Sequence, residues 1–171
     1  MSETATPKEA DKQSEVEIEG GKFLTFFLGD EEYAIEILKV QEIIGLMDIT
    51  PVPKMPVYIR GVLNLRGKIV PVMNLRTRFG LNEIDDTDET CIIVVQYEDF
   101  LMGVLVDKVS EVVDIETSQI EDVPAVGAGE QSEYLAGIGK SEGSVKMIID
   151  VHKVLFDVPQ AVLDKSGEPE H

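Results

Sequence analysis

Histidine is the side chain that enzymes use most often for acid–base chemistry, and this sequence offers little of it. The chain of 171 residues contains two histidines, of which His171 ends a polar tail. His152 follows Asp150 by two residues, a spacing at which a carboxylate can orient an imidazole as a general base. A lone histidine in a short helix-like segment is more typical of a surface position. We therefore expect His152 to be exposed and not catalytic.

Motifs for nucleophilic or phosphate chemistry do not occur in the sequence. Cys91 starts the apolar run 91–95, which is typical of a buried structural thiol. The Gly-rich segment 127–129 lacks the helix and the lysine that follow in phosphate-binding loops. No Gly-x-Ser-x-Gly, His-Glu-x-x-His or Cys-x-x-Cys pattern is found. We expect no catalytic site and no cofactor, although only geometry can show whether two of the many carboxylates form a poised pair.

The densest group of possible metal ligands lies in the acidic segment 82–90. Asp85, Asp86, Asp88 and Glu89 carry the oxygen ligands that calcium prefers. A calcium-binding loop also needs a glycine at its central turn and a glutamate at its closing position, and this segment has neither. We therefore interpret 82–90 as an acidic connection and expect no bound metal.

Composition limits the class of partner. Asp and Glu number 33 against 15 Lys and Arg, which gives a formal net charge of -18. Nucleic-acid phosphates and anionic membranes attract basic surfaces, so this charge argues against both as main partners. No apolar stretch reaches the roughly 18 residues that span a bilayer, no signal peptide is visible, and a single cysteine fits a reducing compartment. We expect a cytoplasmic protein without direct membrane insertion.

Short strands dominate the elements that would position a site. Apolar runs between glycine-containing turns predict strands near 23–28, 33–35, 61–65, 68–73, 91–97, 101–106, 109–115, 138–140 and 145–150. The spacing of Ile35, Leu38 and Ile43 is also that of a helical face, which leaves a helical turn near Ile37 open, and 75–79 suits one helical turn. Residues 1–21 predict a disordered segment and residues 157–171 a polar tail, with docking of Val162 and Leu163 left open.

The two halves of the chain resemble each other. Residues 58–79 align with 134–155 without a gap, and the hairpin glycine Gly67 coincides with Gly143. Residues 35–44 align with 104–113 in the same way. Each half is small for an independent core, so the repeat predicts two similar β-barrels that share an interface. The first unit would span about 22–81 and the second about 91–156, on either side of the acidic connection.

Differences between the halves point to function, because features that the barrel requires should occur in both. At the hairpin tip, Arg66–Gly67 aligns with Glu142–Gly143, so the glycine is shared and the charge is reversed. A guanidinium at a hairpin tip is well placed to bind a carboxylate or another chain. A solvated turn arginine, or one that pairs with the acidic surface, is the alternative. Arg66 is therefore a candidate recognition residue.

Three segments resemble the CheW family of bacterial chemotaxis coupling proteins. They are 23–44, which contains Phe-Phe-Leu-Gly-Asp-Glu-Glu-Tyr-Ala-Ile, 60–72, which contains Asn-Leu-Arg-Gly, and 103–112, Gly-Val-Leu-Val-Asp-Lys-Val-Ser-Glu-Val. The resemblance covers about residues 22–156. It implies a mainly-β fold of two tandem five-stranded SH3-like barrels packed together, with a few short helices.

The resemblance also implies an adaptor without catalytic activity. CheW proteins bind the regulatory domain of the histidine kinase CheA and the cytoplasmic tip of methyl-accepting chemotaxis receptors, and they help to form receptor arrays. The family's receptor-contact positions fall here on Val40, Glu42, Ile43, Arg66 and Val112. Val40, Glu42 and Ile43 have similar counterparts in the second half, so these three also suit a purely structural role. The resemblance leaves the kinase-binding residues unknown.

Two other functions compete with the stand-alone adaptor. The same domain occurs at the C-terminus of CheA and at the front of CheV, but this chain has no room for a kinase or receiver domain. A related barrel module that serves another receptor or kinase system is the first alternative, and the identity of the partner separates it from the adaptor. A catalytic domain is the second, and activity assays on His152 and carboxylate variants test it.

Overall fold

Short strands form most of the structure. The computed structural model describes residues 18–124, 130–141 and 143–164. The strands are β1 Gly21–Leu28, β2 Glu31–Glu36, β3 Val40–Gly45, β4 Ile59–Leu65, β5 Lys68–Asn74, β6 Cys91–Tyr97, β7 Phe100–Val106, β8 Lys108–Ile115, β9 Ile120–Glu121, β10 Leu135–Ser141 and β11 Ser144–Ile149. The helices are α1 Leu75–Arg78, α2 Val151–Leu155 and α3 Gln160–Leu163, with 3-10 helices at Ile37–Lys39, Thr117–Gln119 and Glu130–Tyr134.

The strands form two sheets with the same internal order. Sheet I has the order β3-β6-β7-β5-β4, and sheet II has the order β8-β1-β2-β11-β10-β9. In sheet I the hairpin β6–β7 lies between the antiparallel edge strand β3 and the parallel strand β5. In sheet II the hairpin β1–β2 lies between the antiparallel edge strand β8 and the parallel strand β11. The expected mainly-β fold with two barrel-like sheets and a few short helices is confirmed. Sheet II has six strands, because the short β9 adds to the five that were expected.

The two sheets do not coincide with the two halves of the chain. Hairpin β1–β2 from the first half lies in sheet II, and hairpin β6–β7 from the second half lies in sheet I. The structure therefore corrects the predicted barrel units 22–81 and 91–156. Because the halves share one apolar pattern, each hairpin fits the strands that the other half offers. The exchange joins both sheets into one folding unit.

The pairing of β3 with β6 in sheet I recurs in sheet II at positions 69 residues apart, the separation of the aligned segments 35–44 and 104–113. Ile43 of β3 pairs with Ile93 of β6 in sheet I. The residues that align with them, Val112 and Leu24, pair with each other in sheet II. The parallel pairing of β5 with β7 recurs as that of β11 with β2. The internal similarity of the sequence is thus matched by equivalent hydrogen-bonded positions.

The buried side chains form three clusters, and the largest belongs to both sheets. This shared cluster contains Tyr33 of β2 and Met102 of β7, together with side chains of α1, α2 and α3. A second cluster, around Val94, fills the inside of sheet I, and a third, around Phe23, fills the inside of sheet II. Each fully buried side chain of this size contributes about 2 kcal/mol through removal from water. Separation of the barrels would expose the shared cluster, so the two sheets fold together.

Sheet I closes into a barrel through the segment that follows β3. Thr50 exchanges two backbone hydrogen bonds with Val62 of β4, at 2.8 and 2.9 Å. Gly61 has a φ of 151°, and a Cβ there would lie 2.3 Å from the carbonyl oxygen of Thr50. Only glycine permits this approach. At the matching Gly137 a Cβ would lie 3.0 Å from the carbonyl oxygen of Glu121, so both glycines serve barrel closure.

The folded region extends beyond both predicted limits. Strand β1 begins at Gly21, and Ile18 packs against the cluster inside sheet II. At the other end, Val158, Val162 and Leu163 are buried in the shared cluster. The prediction of a polar tail over 157–171 is wrong for these three residues, and the docking of Val162 and Leu163 that the sequence left open is confirmed. Helix α3 is too short to show a periodic pattern.

The helical turn near Ile37 that the sequence left open is present, as the single 3-10 turn Ile37–Lys39. Ile43, which shares the helical spacing, belongs instead to strand β3. Tertiary pairing with β6 overrides the local helical periodicity there. Several residues considered in the sequence lie outside the described part of the chain, namely 1–17, the glycine-rich segment 127–129, Glu142 and His171.

Candidate functional site

Arg66 lies at the tip of the hairpin that joins β4 and β5. Leu65 pairs with Lys68, so the turn consists of Arg66 with a φ of 52° and Gly67 with a φ of 90°. Positive φ at both positions is typical of a type I′ turn, whose twist matches that of the flanking strands. Asn64 Oδ1 accepts a hydrogen bond from the Gly67 N–H at 2.8 Å. The turn therefore holds Arg66 in a backbone conformation that is uncommon for a residue with a side chain.

The Arg66 guanidinium donates a hydrogen bond to the carboxylate of Glu42 on β3, and the two form an ion pair. The Arg66 side chain is 69% exposed and that of Glu42 is 28% exposed. A pair this open to water contributes only about 0.2–1 kcal/mol to folding. Its main effect is to fix the direction of the guanidinium, whose remaining N–H groups stay accessible. The pairing of Arg66 with an acidic surface residue, which the sequence left open as an alternative to recognition, is thus present.

A bulge in β3 places neighbouring side chains in different surroundings. The register between β3 and β6 shifts between Val40 and Glu42. Val40 packs against the shared cluster, and Ile44 packs against the cluster inside sheet I. Ile43, between Glu42 and Ile44, remains 43% exposed. Glu42 and Ile43 are therefore available at the surface, whereas Val40 mainly supports the core.

Val112 occupies the equivalent position on β8 of sheet II. It pairs with Leu24 of β1, and its side chain is 50% exposed. The bulge of β3 recurs here as a register shift between Leu24 and Phe26. Of the predicted site residues, the structure brings Glu42 and Arg66 into contact. Ile43 follows Glu42 in β3 and faces the other side of the strand. Val112 lies in the other sheet, where it is the counterpart of Ile43.

His152 has neither the burial nor the partner of a general base. It is exposed on α2, as the sequence predicts. The Asp150 carboxylate caps this helix and accepts hydrogen bonds from the backbone N–H groups of His152 and Lys153, at 2.9 and 3.3 Å. The imidazole lies between the rings of Tyr97 and Phe156, with centroids 5.7 and 5.5 Å away. The neighbouring acid therefore has a structural role, and the imidazole packs among aromatic rings.

Cys91 has the surroundings of a structural thiol. It is half-buried at the start of β6 and packs against the shared cluster. Burial raises the pKa of the Cys91 thiol, although a backbone hydrogen bond to Val109 opposes this. A raised pKa lowers the fraction of thiolate, which is the nucleophilic form.

The acidic connection forms ion pairs with the barrel. Arg60 donates two hydrogen bonds to Asp86, at 3.1 and 2.6 Å. These bonds hold the pKa of Asp86 below its usual range. Thr90 Oγ1 accepts a hydrogen bond from the backbone N–H of Thr87 at 2.8 Å and tightens the turn that follows. Within the described ranges, no group of three or more His, Cys, Asp or Glu side chains is arranged to hold a metal.

Sequence reasoning missed a partly buried ion pair between α1 and the β7–β8 corner. Arg76 donates to Asp107 through Nε at 3.0 Å and through its terminal nitrogen at 2.7 Å. The Gly29 N–H donates to the same carboxylate at 2.7 Å. Burial opposes ionisation of Asp107, but these hydrogen bonds outweigh it and hold its pKa below the usual range. The alignment of the halves held a signal, since Arg76 aligns with His152 and Asp107 with Leu38.

The matching family model, the curated relatives and the solved structure all point to the same family. The CheW-like domain matches residues 22–158. The chemotaxis protein CheW of Klebsiella aerogenes is 38% identical over 145 residues, which cover 85% of this chain and 87% of the relative. The chemotaxis protein CheW of Bacillus subtilis is 38% identical over 136 residues, which cover 80% and 87%. The crystal structure of the scaffolding protein TtCheW from Thermoanaerobacter tengcongensis superposes with a TM-score of 0.75 at 34% identity and covers 80% of this chain and 92% of that one.

These similarities agree with the fold and indicate the general role of the chain. None of the helices in the described ranges is long and apolar enough to cross a membrane. The matched relatives are chemotaxis proteins, and the structural neighbour is a scaffolding protein, which supports a coupling or scaffold role in chemotaxis. By a match that spans most of its length, the chain belongs to the CheW-like family of chemotaxis scaffold proteins, which act as adaptors without catalysis.

Proposed function

We propose that this protein couples the cytoplasmic tips of methyl-accepting chemotaxis receptors to the regulatory domain of the histidine kinase CheA. The family match over residues 22–158 supports an adaptor role. The observation that carries the receptor side of the proposal is the oriented and exposed Arg66–Glu42 pair, together with the exposure of Ile43, the residue that follows Glu42 in β3. Recruitment to the membrane array would then occur through the partners.

The receptor contact would combine one charged and one apolar anchor. Arg66 is 69% exposed while Glu42 fixes its direction, so it reaches a partner carboxylate with little loss of side-chain entropy. Ile43 offers an apolar side chain that a receptor helix can bury. The charged pair would set register and the apolar contact would supply affinity.

The other two predicted positions would act in different ways. Val40 packs against the shared cluster, so we assign it the role of shaping β3 from beneath. Val112 is 50% exposed on the matching strand of sheet II, and we assign it a second apolar contact with the receptor. Loss of Val40 would therefore change stability and binding together, whereas loss of Val112 would change binding alone.

The strand exchange suits a coupling protein. Each sheet contains one hairpin from the other half of the chain, and the largest core cluster belongs to both sheets. A partner that binds sheet I and a partner that binds sheet II would therefore be joined through one cooperative core. No residue is assigned to the kinase contact.

Calorimetric titration of the full chain tests the proposal. The ligands are a CheA regulatory domain and, separately, a receptor-tip fragment. Arg66→Glu is compared with wild type and with Lys140→Glu, a matched charge reversal on the equivalent hairpin of sheet II. Lys140 is 58% exposed and pairs with Glu121, so its change has a similar electrostatic cost.

We expect saturable binding of both ligands by wild type and by Lys140→Glu. Arg66→Glu should bind the receptor fragment at least about tenfold more weakly and the kinase domain normally. Equal loss in both charge reversals would assign the effect to total charge and remove Arg66 from the site. Binding of neither ligand by wild type would reject the CheA–receptor pairing in favour of another receptor or kinase system.

A further inference from the structure

A row of rings, with Tyr97 partly buried and His152 and Phe156 exposed, crosses the outer face of α2. The Tyr97 and His152 rings lie 5.7 Å apart and the His152 and Phe156 rings lie 5.5 Å apart. Phe156 is 70% exposed, and Leu38, on the 3-10 helix that packs beside β6, is 93% exposed. These four residues are called the aromatic row. A phenyl ring and an isobutyl group open to water cost solvation free energy that a partner could recover.

The fold itself does not require the aromatic row. The internal repeat aligns its members Tyr97, His152, Phe156 and Leu38 with Leu28, Arg76, Gly80 and Asp107, respectively. At that matching junction the side chains satisfy each other, because Arg76 and Asp107 form a largely buried ion pair. In the aromatic row, the same two positions hold His152 and Leu38, both of which are exposed. One junction of the pseudo-symmetric pair is thus closed within the molecule, and the other is left open to a partner.

The charges around the aromatic row indicate which sign of charge the partner should carry. Glu98 and Asp99 form the exposed turn that follows Tyr97. Asp157, next to Phe156, pairs with Arg78, so its charge is already compensated. Lys153 directs its ammonium group to the carbonyl oxygen of Leu135 at 3.2 Å. Glu98 and Asp99 are therefore the carboxylates that a cationic partner would meet beside the row.

The same charges argue against a second copy of this chain as the occupant. Two molecules of net charge -18 repel each other, and the acidic rim would meet an acidic rim. A cationic segment instead gains from the carboxylates, and its Lys or Arg groups can lie over the faces of the exposed rings.

We propose that the aromatic row is a docking site for a cationic amphipathic segment of a partner protein. The apolar face of the segment buries Phe156 and Leu38, and its basic side chains meet Glu98, Asp99 and the ring faces. The site uses none of the five residues assigned to the receptor contact, so it is independent of that proposal.

The two histidines of the chain make the site directly observable. One-dimensional proton NMR of the full chain gives two imidazole signals, and His152→Gln identifies the signal of the row. The probes are two designed helical peptides of about 18 residues with the same Leu and Phe face, one with Lys and one with Glu on the polar face. Phe156→Ser and Leu38→Ser remove row side chains, and Val57→Ser is the matched control, since Val57 is 81% exposed elsewhere.

The Lys peptide should shift the His152 signal saturably while the His171 signal stays in place. Its apparent affinity should exceed that of the Glu peptide by about tenfold or more, and it should fall with added salt. Phe156→Ser and Leu38→Ser should each weaken binding at least about threefold, and Val57→Ser should leave it unchanged. An unmoved His152 signal at millimolar Lys peptide, equal binding of both peptides, or unchanged binding by Phe156→Ser would each overturn the proposal.

Discussion

The guanidinium of Arg78 donates two hydrogen bonds, at 3.0 and 2.7 Å, to the carbonyl oxygen of Val154, the residue that occupies its own position in the second repeat. The same guanidinium lies over the rings of Tyr58 and Tyr134, at 4.4 and 5.0 Å, and these tyrosines also match each other in the repeat. The Arg78 side chain is only 6% exposed. It therefore joins the two halves close to their pseudo-symmetry axis.

Arg78→Met should destabilise the protein by about 2 kcal/mol. The substitution keeps an apolar stem of similar length but removes the hydrogen bonds to Val154 and both cation–ring contacts. For a chain of this size the midpoint of thermal unfolding should fall by about 4–8 °C. Differential scanning calorimetry measures the change.

Arg60→Met is the control for Arg78→Met. Arg78 pairs with Asp157, and Arg60 pairs in the same way with Asp86. The Arg60 side chain is 35% exposed, so its loss should cost at most about 1 kcal/mol. Equal midpoints for the two variants would show that Arg78 does not join the repeats.

Substitutions at Arg66 should separate stability from recognition. Arg66→Gly loses the pair with Glu42 but relieves a φ of 52°, and these effects of about 1 kcal/mol each nearly cancel. Arg66→Glu places a second carboxylate beside Glu42 and should cost about 0.5–1 kcal/mol. Urea unfolding should therefore rank the glycine variant near wild type and the glutamate variant below it, while both bind the receptor fragment weakly.

A charge exchange checks the cause of the Arg66→Glu effect. Combining Arg66→Glu with Glu42→Arg restores opposite charges across the same gap. The double variant should recover most of the lost unfolding free energy without recovering receptor binding, because the guanidinium now starts from β3. If the double variant is less stable than Arg66→Glu alone, the ion pair does not explain the single variant.

Helix α3 should contribute to stability although it has only four residues. The Val162 side chain is 1% exposed within the shared cluster. Val162→Ala should cost about 2 kcal/mol through lost burial and a residual cavity. Phe156→Ala, which truncates a side chain that is 70% exposed, should cost less than about 0.5 kcal/mol. A comparison by urea unfolding that gave both variants wild-type stability would show that α3 does not dock.

Features of this molecule that depend on local sequence could be predicted, and those that depend on a choice between equivalent partners could not. The Arg66–Gly67 turn follows from a glycine between two apolar runs. The exchange of hairpins β1–β2 and β6–β7 could not be predicted, because both hairpins have the same pattern and fit either sheet equally well. Alignment of the halves reveals that equivalence without showing which pairing the chain adopts.

The candidate site shows the same limit. The alignment singled out Arg66, because its charge is reversed in the second half. The partner Glu42 lies 24 positions away in the sequence, and only the closing of sheet I brings the two together. The aromatic row, likewise, combines residues from β6, α2 and a 3-10 turn, and periodicity within each segment carries no sign of their contact.

The Arg76–Asp107 pair should make the protein sensitive to acid. Hydrogen bonds from Arg76 and Gly29 hold the pKa of Asp107 below its unfolded value of about 4, despite burial. A depressed folded pKa gives stability that is present above about pH 4 and is lost as the pH falls through the folded pKa. Asp107→Asn should therefore be less stable by about 2 kcal/mol at pH 7, and its curve of unfolding free energy against pH should approach that of wild type as the pH falls from about 4 through the lowered folded pKa of Asp107. Asp86→Asn, at a more exposed pair whose pKa is also lowered, should show the same convergence with a smaller difference at pH 7. Urea unfolding between about pH 2 and 7 measures the three curves, and a constant separation of Asp107→Asn from wild type across this range would show that ionisation of Asp107 does not stabilise the fold.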